Sequence, residues 1–249
     1  MNRWRSGQMS ETNVESGATA ETKHDSAVSM LWNVLLEPTR VFKRIREKPT
    51  WALPFIIFLL AFVVVTYLVT PLALEAKKQE ISTSEKLSQE QRDAQLQQLE
   101  LGKKFAIVGA IVAPIGAGIL YLVIWGALIL TGTVIQGGTA KASAVWSVLC
   151  YSLVPGIIST IVRTPLMLSK GSMDIRTSLA VLLPASAMNK PGFSVLNTFT
   201  DIFVVWEIVL LIIGVSVIYG FTKQKASITI LVPAAVIAVI MGVVSVVTS

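Results

Sequence analysis

Three ionisable side chains stand inside long apolar stretches of this chain, where a charge is costly. Arg163 interrupts the stretch STIVRTPLML, and Asp201 and Glu207 interrupt TDIFVVWEIVLLIIG. A charge at the centre of a membrane helix costs about 2.5–3.5 kcal/mol on insertion scales, so such side chains usually face a bundle interior and find partners. The chemistry open to these three residues is ion pairing or the uptake of a proton.

The expected heights of the three residues in the membrane favour a shared polar cluster. If the helix with Arg163 runs outward and the helix with Asp201 returns, the two side chains lie at a similar depth, and Glu207 lies about two turns deeper. We predict an Arg163–Asp201 ion pair that Glu207 assists. The alternatives are that Asp201 caps the start of its helix, and that Glu207 is a protonated carboxyl bonded to a backbone group or a hydroxyl.

Other reactive residue types are scarce. Cys150 is the only cysteine and lies in an apolar run, and His24 is the only histidine and lies in a polar segment. Disulfide frameworks, zinc sites with two histidines and histidine-based triads are therefore excluded. The segment GGTAKAS at 137–143 lacks the spacing of a nucleotide-binding loop. We expect no enzyme activity, no cofactor and no metal site.

The composition is that of an integral membrane protein. Of the 249 residues, 53% are hydrophobic and 14% are charged, whereas soluble domains contain about 25% charged residues. A helix needs about 20 apolar residues to cross the hydrocarbon core. We predict an all-α polytopic membrane helix bundle with five transmembrane helices. The predicted spans are 51–74, 105–133, 142–168, 202–221 and 226–247.

The polar segments outside these spans divide the chain. Residues 1–28 read as a disordered polar tail, 29–50 as an amphipathic helical region, and 51–249 as the transmembrane domain. Within that domain, the charged and Gln-rich loop after the first span predicts a helical hairpin that extends the first two spans into water. Residues 178–187 are too short to span and should lie in the interface or re-enter.

The segment between Pro38 and Pro49 predicts a basic helix at the membrane surface. Val41, Phe42 and Ile45 share one face of a helical wheel, and cations occupy the others. We interpret the apolar face as inserted among acyl chains, with the cations near anionic lipid head groups. The alternative is a solvated cap packed on the bundle. The cations are Arg40, Lys43, Arg44, Arg46 and Lys48.

Those cations also set the predicted orientation. The numbers of Lys and Arg residues on the two sides of the membrane are almost equal. The orientation is therefore predicted from the basic cluster directly before the first span. We expect a cytoplasmic N-terminus and an extracytoplasmic C-terminus. The net charge is +6, and the basic residues lie mainly at the ends of the spans. This placement indicates contact with lipid head groups rather than nucleic-acid binding.

Two spans carry small residues at helical spacing. One stripe comprises Gly109, Ala113 and Ala117, and the other comprises Ala234, Ala238 and Gly242. Small residues let helix backbones approach closely in lipid. The stripes therefore predict helix contacts, either within the chain or with another one. Pro114, Pro155 and Pro233 should bend their spans.

Several stretches together resemble a known family. They are EPTRVFKRIREKPTWALP, the loop SQEQRDAQLQQLE, the proline-containing third span and TDIFVVWEIVLLIIGVSVIYGFTKQKA. Over roughly residues 31–249 the chain resembles the bacterial branch of the Yip family, whose eukaryotic members are named for interacting with Ypt/Rab GTPases. The most recognisable positions are Asp201, Phe203, Trp206 and Gly214.

The resemblance implies five helical spans, a cytoplasmic N-terminus and residence in the bacterial cytoplasmic membrane. It also implies a role in membrane transport or trafficking, since bacterial relatives accompany ABC-type exporters. The segment before the first span is short for a GTPase-binding domain, so we do not expect Rab binding. The expected function is a non-enzymatic accessory or scaffold subunit that contacts such an exporter or a second copy of itself. The alternative is a small transporter or channel that uses Arg163, Asp201 and Glu207.

Overall fold

The computed structural model describes residues 26–84, 87–188, 190 and 192–247. Most of the predicted polar tail lies outside these residues. Nine α-helices and two short 3-10 turns, Leu179–Leu182 and Ala185–Ala187, make up the regular structure of the described part, and no strand occurs there. The helices are α1 (Ala27–Leu36), α2 (Pro38–Glu47), α3 (Ala52–Thr83), α4 (Gln89–Ile135), α5 (Ala142–Ser152), α6 (Val154–Lys170), α7 (Phe193–Phe199), α8 (Ile202–Tyr219) and α9 (Lys223–Val247).

The helices confirm the expectation of an all-α bundle with five spans. Five helical segments are long and apolar enough to cross a membrane. They are Ala52–Thr83, Phe105–Ile135, Ala142–Lys170, Ile202–Tyr219 and Lys223–Val247. The region 178–187 does not span: it forms the two short turns, with Leu179, Val181 and Leu182 exposed.

The third span consists of two helices that meet at Leu153. Pro155 stands near the start of α6, where its missing N–H removes a bond to the preceding turn, so the break between α5 and α6 follows the predicted bend. Pro114 and Pro233, in contrast, lie inside the unbroken helices α4 and α9.

Helix α5 lies at the centre of the bundle. Eight of its eleven residues are buried, and it packs against α2, α3, α4 and α8. Leu149 and Tyr151 are completely buried and join Leu210, Leu211 and Val215 of α8 in one hydrophobic core. The apolar stretch of α5 is therefore covered by protein, whereas α3 and α9 are mostly exposed.

The predicted polar hairpin is formed by the continuations of α3 and α4. Ser88 and Gln91 make a reciprocal capping box that starts α4, which satisfies backbone N–H groups that a helix start leaves without partners. Residues 89–104 precede the apolar part of α4 and correspond to about 24 Å of helix at about 1.5 Å per residue. Lys103 donates to Glu100 at 2.7 Å, which lowers the pKa of Glu100 and raises that of Lys103.

Helix α2 has the predicted amphipathic pattern, but its apolar face contacts protein. Val41, Phe42 and Ile45 are buried in the main core, so they are not inserted among acyl chains. The physical reason is a recess on α8: Phe42 packs where Gly214 has no side chain. This packing corresponds to the alternative of a cap on the bundle. The cationic side chains of Arg40, Lys43, Arg46 and Lys48 are exposed.

Contacts between the connections show which loops share an end of the bundle. Arg46 of α2, Lys141 before α5 and Tyr219 at the end of α8 line one pocket. A Cβ on Gly138 would lie 2.7 Å from Phe221, so the loop after α4 meets the turn between α8 and α9. Because α3 and α4 cross the whole bundle, their polar hairpin lies at the opposite end.

A candidate polar site between the spans

The ion pair predicted between the third and fourth spans is present in the structure. Arg163 Nη2 donates to Asp201 Oδ2. The side chain of Asp201 is 6% exposed and that of Arg163 is 26% exposed, so most of the ion pair is buried. Arg163 is on α6 and Asp201 is at the start of α8, and these two helices pack against each other. This arrangement agrees with the similar depth in the membrane that the sequence predicts for the two residues.

Asp201 also caps α8, so both interpretations of this residue apply at once. Its backbone is extended, and its Oδ1 accepts a hydrogen bond of 2.9 Å from the N–H of Phe203. One carboxylate oxygen thus serves the helix start and the other serves the ion pair. A negative charge at this position also interacts favourably with the positive end of the helix dipole.

Thr177 is the third member of this cluster, and the sequence did not indicate it. Its hydroxyl accepts from Arg163 Nη2 and donates to Asp201 Oδ2 at 2.6 Å. Its backbone carbonyl accepts from the N–H of Ile202 at 3.3 Å, which ties the loop after α6 to the start of α8. Threonine is common in loops, so neither type nor spacing distinguished Thr177.

Glu207 does not assist the ion pair, which corrects the prediction made for it. Glu207 Oε1 accepts a hydrogen bond from the hydroxyl of Tyr121 on α4. The reason is helical rotation: six residues turn a helix by about 600°, so Glu207 points about 120° away from Asp201. The alternative in which a hydroxyl partners Glu207 matches this contact.

Arg163, Asp201 and Glu207 nevertheless line one cavity of about 380 Å³. Its walls come from α3, α6, α7 and α8. These three are the charged or ionisable residues among the described lining residues, so the cavity has one cationic group and two carboxyl groups. No cluster of three or more potential metal ligands occurs among the described residues.

Two polar atoms at this cavity have no hydrogen-bond partner. They are the Oγ1 of Thr164 and the Nε of Arg163. Thr164 is 7% exposed, so its hydroxyl is shielded from solvent. Buried polar groups are nearly always bonded, so these two unsatisfied atoms are exceptions in the wall of the cavity.

The two small-residue stripes have different surroundings. On α9, Ala234 is buried, and a Cβ on Gly242 would lie 3.9 Å from Val195 of α7; Ala238 is half-buried. This stripe therefore packs within the chain, at least at its two ends. On α4, Gly109, Ala113 and Ala117 are all exposed.

The remaining motif residues lie along α8. Phe203 lines the cavity, and Trp206 packs against the main core. Gly214 lies where both α2 and α5 pack closely on α8, since a Cβ there would overlap with Val148 and come within 3.3 Å of Phe42. The motif thus combines two cavity positions, Asp201 and Phe203, with two positions that pack the bundle.

Comparison with known proteins gives two matches. A sequence profile described as the Yip1 domain matches residues 32–246. The chain is similar to the membrane protein YknW of Bacillus subtilis (strain 168), with 28% identity over 219 residues that cover 86% of this chain and 87% of the relative. No solved structure shows a significant match.

Proposed function

Because the chain belongs to the Yip1 domain family, we propose that this membrane protein is a non-enzymatic accessory or scaffold subunit in membrane transport or trafficking. Its partner in this proposal is another integral membrane protein, in first place an ABC-type exporter of the bacterial cytoplasmic membrane. The observation that carries the proposal is the exposed stripe of small residues on α4.

The exposed stripe provides room for another helix. A Cβ on Gly109 or Gly116 would meet nothing within 4 Å, whereas a Cβ on Gly118 would lie 2.7 Å from Leu59 of α3. One face of α4 therefore packs in the bundle and the other is open. Small residues let helix backbones approach closely, which favours helix association in lipid, so this open face suits a transmembrane helix of a partner.

The polar hairpin supports the same proposal from outside the membrane. It continues α3 and α4 beyond their apolar parts and exposes ion pairs such as Lys77–Glu80 and Glu100–Lys103. A partner that docks on α4 in the membrane would also meet this hairpin, because both belong to one continuous helix. With the N-terminus in the cytoplasm, the hairpin would contact extracytoplasmic parts of the partner.

Site-specific photocrosslinking tests the docking face. A photoreactive amino acid at Ala113 is expected to crosslink in native membranes to one membrane protein identifiable by mass spectrometry. The same amino acid at Ala235, an exposed alanine on α9, is the control and should not give that product. Replacing Gly109 with Leu should abolish the crosslink from position 113 without reducing the amount of folded protein.

Two results would contradict the proposal. Crosslinks to lipid alone at both positions would show that the face has no protein partner. Crosslinks only to a second copy of the chain would identify a homodimer instead of an accessory subunit.

Transport is a second candidate, and the cavity beside Glu207 is the observation that favours it. A carboxyl group inside a membrane cavity could take up and release a proton. If so, Glu207→Gln should abolish proton-coupled flux into liposomes, because Gln retains an acceptor for Tyr121 but cannot titrate. Flux that is unchanged in this variant would remove the proposal of a proton path.

A further inference from the structure

A second cavity, of about 600 Å³, lies at the end of the bundle opposite the polar hairpin. Its walls come from the ends of α2, α4 and α8 and from the loop that leads into α5. Among its described lining residues two are cationic, Arg46 and Lys141, and none is acidic. Two distant parts of the chain therefore create one site of positive charge.

Both cations of this cavity are accessible to a ligand. Arg46 and Lys141 are exposed, and within the described part of the chain neither side chain makes an ion pair or a hydrogen bond. Arg176 at the other end of the bundle, in contrast, pairs with Asp174 at 2.6 Å. An anion that enters the cavity would thus meet a guanidinium and an ammonium group without displacing a carboxylate.

The loop before α5 adds backbone donors to the two cations. The N–H groups of Thr139, Ala140 and Lys141, which all line the cavity, have no acceptor among the described residues. A phosphate group has several acceptor oxygens, so it can accept from cationic side chains and from backbone N–H groups at the same time. The donors of the cavity therefore favour phosphate over an anion with fewer oxygens.

The apolar part of the wall places the cavity at the level of lipid head groups. Leu130 and Val134 belong to the second candidate span, Phe105–Ile135, and Ile218 belongs to the fourth, Ile202–Tyr219. Both spans end beside the cavity, and the polar head groups of a bilayer begin where its hydrocarbon core ends. The phosphates of the adjacent leaflet would therefore lie at the height of Arg46 and Lys141.

We propose that this cavity binds one anionic phosphate group and that Arg46 and Lys141 make its charged contacts. The group belongs to an anionic lipid of the adjacent leaflet or to a free phosphate compound. A zwitterionic head group matches less well, because its ammonium would lie among cations with no acidic side chain in the described wall. The site needs Lys141 as well as α2, and it does not depend on a partner at α4.

Thermal unfolding of the full chain in a nonionic detergent tests the site and the source of the phosphate. The probes are dioctanoyl phosphatidylglycerol, dioctanoyl phosphatidylethanolamine and glycerol phosphate. We expect phosphatidylglycerol to raise the unfolding temperature and phosphatidylethanolamine to have little effect, because a ligand that binds the folded chain stabilises it. A shift with phosphatidylglycerol alone identifies a lipid as the source, and a shift with glycerol phosphate identifies a free compound.

Variants that remove one charge locate the site. Arg46→Gln and Lys141→Gln should each weaken binding of the active probe by about five-fold, measured as the probe concentration that gives half of the maximal shift. Lys48→Gln and Lys223→Gln are the matched controls and should leave binding unchanged, since each removes an exposed cation at the same end that does not line the cavity. All four side chains are exposed, so we expect the variants to fold as the parent chain does.

Three results would overturn the proposal. Stabilisation by phosphatidylethanolamine as strong as that by phosphatidylglycerol would contradict the argument from charge. Equal weakening by all four variants would show that the general charge of this surface, and not the cavity, attracts the anion. The absence of a shift with both anionic probes would show that the cavity takes up no phosphate group.

Discussion

At the scale of single residues, Asp201 has two functions that depend on different oxygens. Oδ1 accepts from the N–H of Phe203 and Oδ2 pairs with Arg163 and Thr177. A substitution can therefore separate the helix cap from the ion pair. Asparagine caps helices about as well as aspartate, but it has no charge to neutralise a guanidinium.

We predict that Asp201→Asn destabilises the protein while leaving α8 intact. Removing one member of a largely buried pair leaves an uncompensated charge, which costs about 3 kcal/mol or more. Unfolding in a detergent of increasing denaturing strength, followed by circular dichroism, measures the loss. The double variant Arg163→Met with Asp201→Asn is the control and should be more stable than Asp201→Asn alone. A double variant that is less stable than the single one would show that the pair is not the cause.

The partnership of Arg163 and Asp201 was predictable, because helix depth follows from counting residues along each span. The partners Thr177 of the ion pair and Tyr121 of Glu207 were not predictable. Which side chains meet depends on the rotation of each helix about its axis and on the course of the loop after α6, and a sequence pattern fixes neither. Glu207 shows the error that results: its depth was suitable, but it faces Tyr121 on α4 instead of Arg163.

At the scale of helices, Gly214 and Gly109 illustrate two different uses of a missing side chain. Gly214 is buried at the crossing of α2, α5 and α8, whereas Gly109 is exposed on α4. The sequence analysis identified Gly109 as part of a small-residue stripe and Gly214 as a position of the family resemblance. It did not distinguish an internal contact from an open face, since helix neighbours are set by packing of the whole bundle.

We predict opposite effects of alanine at these two glycines. Gly214→Ala forces Val148 and Phe42 to move and should destabilise the fold by about 1–3 kcal/mol. Gly109→Ala meets open space and should stabilise α4 by up to about 1 kcal/mol through helix propensity. The same unfolding assay compares both variants with the parent chain. Equal effects at the two positions would contradict the arrangement of α2, α5 and α8.

The N-terminal region shows what a helical wheel can and cannot reveal. The wheel identified the apolar face of α2. An apolar face that contacts lipid and one that contacts protein give the same amphipathic pattern, so the wheel does not distinguish them. The recess at Gly214 lies about 170 residues farther along the chain. Only the folded bundle brings that recess to Phe42.

At the scale of the whole molecule, the connections place the turn between α8 and α9 opposite the polar hairpin. If all five candidate spans cross the membrane, this threading would put α2 and the end of α9 on different sides. The number of spans was predictable from hydropathy and length, because each predicted span has about the 20 apolar residues that a helix needs to cross the bilayer core. The compartments at the two ends follow from the basic cluster at α2 and stay a prediction.

Cysteine labelling tests this orientation. Thr222 and Ser82 are exposed at opposite ends, and the native Cys150 is buried, so single cysteines at the first two positions can be introduced in a Cys150→Ala background. We expect a membrane-impermeant maleimide to label Ser82→Cys in intact cells and Thr222→Cys only after the membrane is opened. Labelling of both variants in intact cells would contradict the predicted threading, and the reverse pattern would invert the orientation.

The central position of α5 also has a consequence for how the chain is made. The helices that cover α5 are synthesised at two different times. Helices α2, α3 and α4 leave the ribosome before α5, and α8 leaves after it. Until Ile202 and the residues beyond it have been inserted, Val148 lacks its cover and Arg163 lacks Asp201. The nascent bundle is therefore incomplete until late in translation, and prematurely terminated chains should be substrates for proteolytic quality control in the membrane.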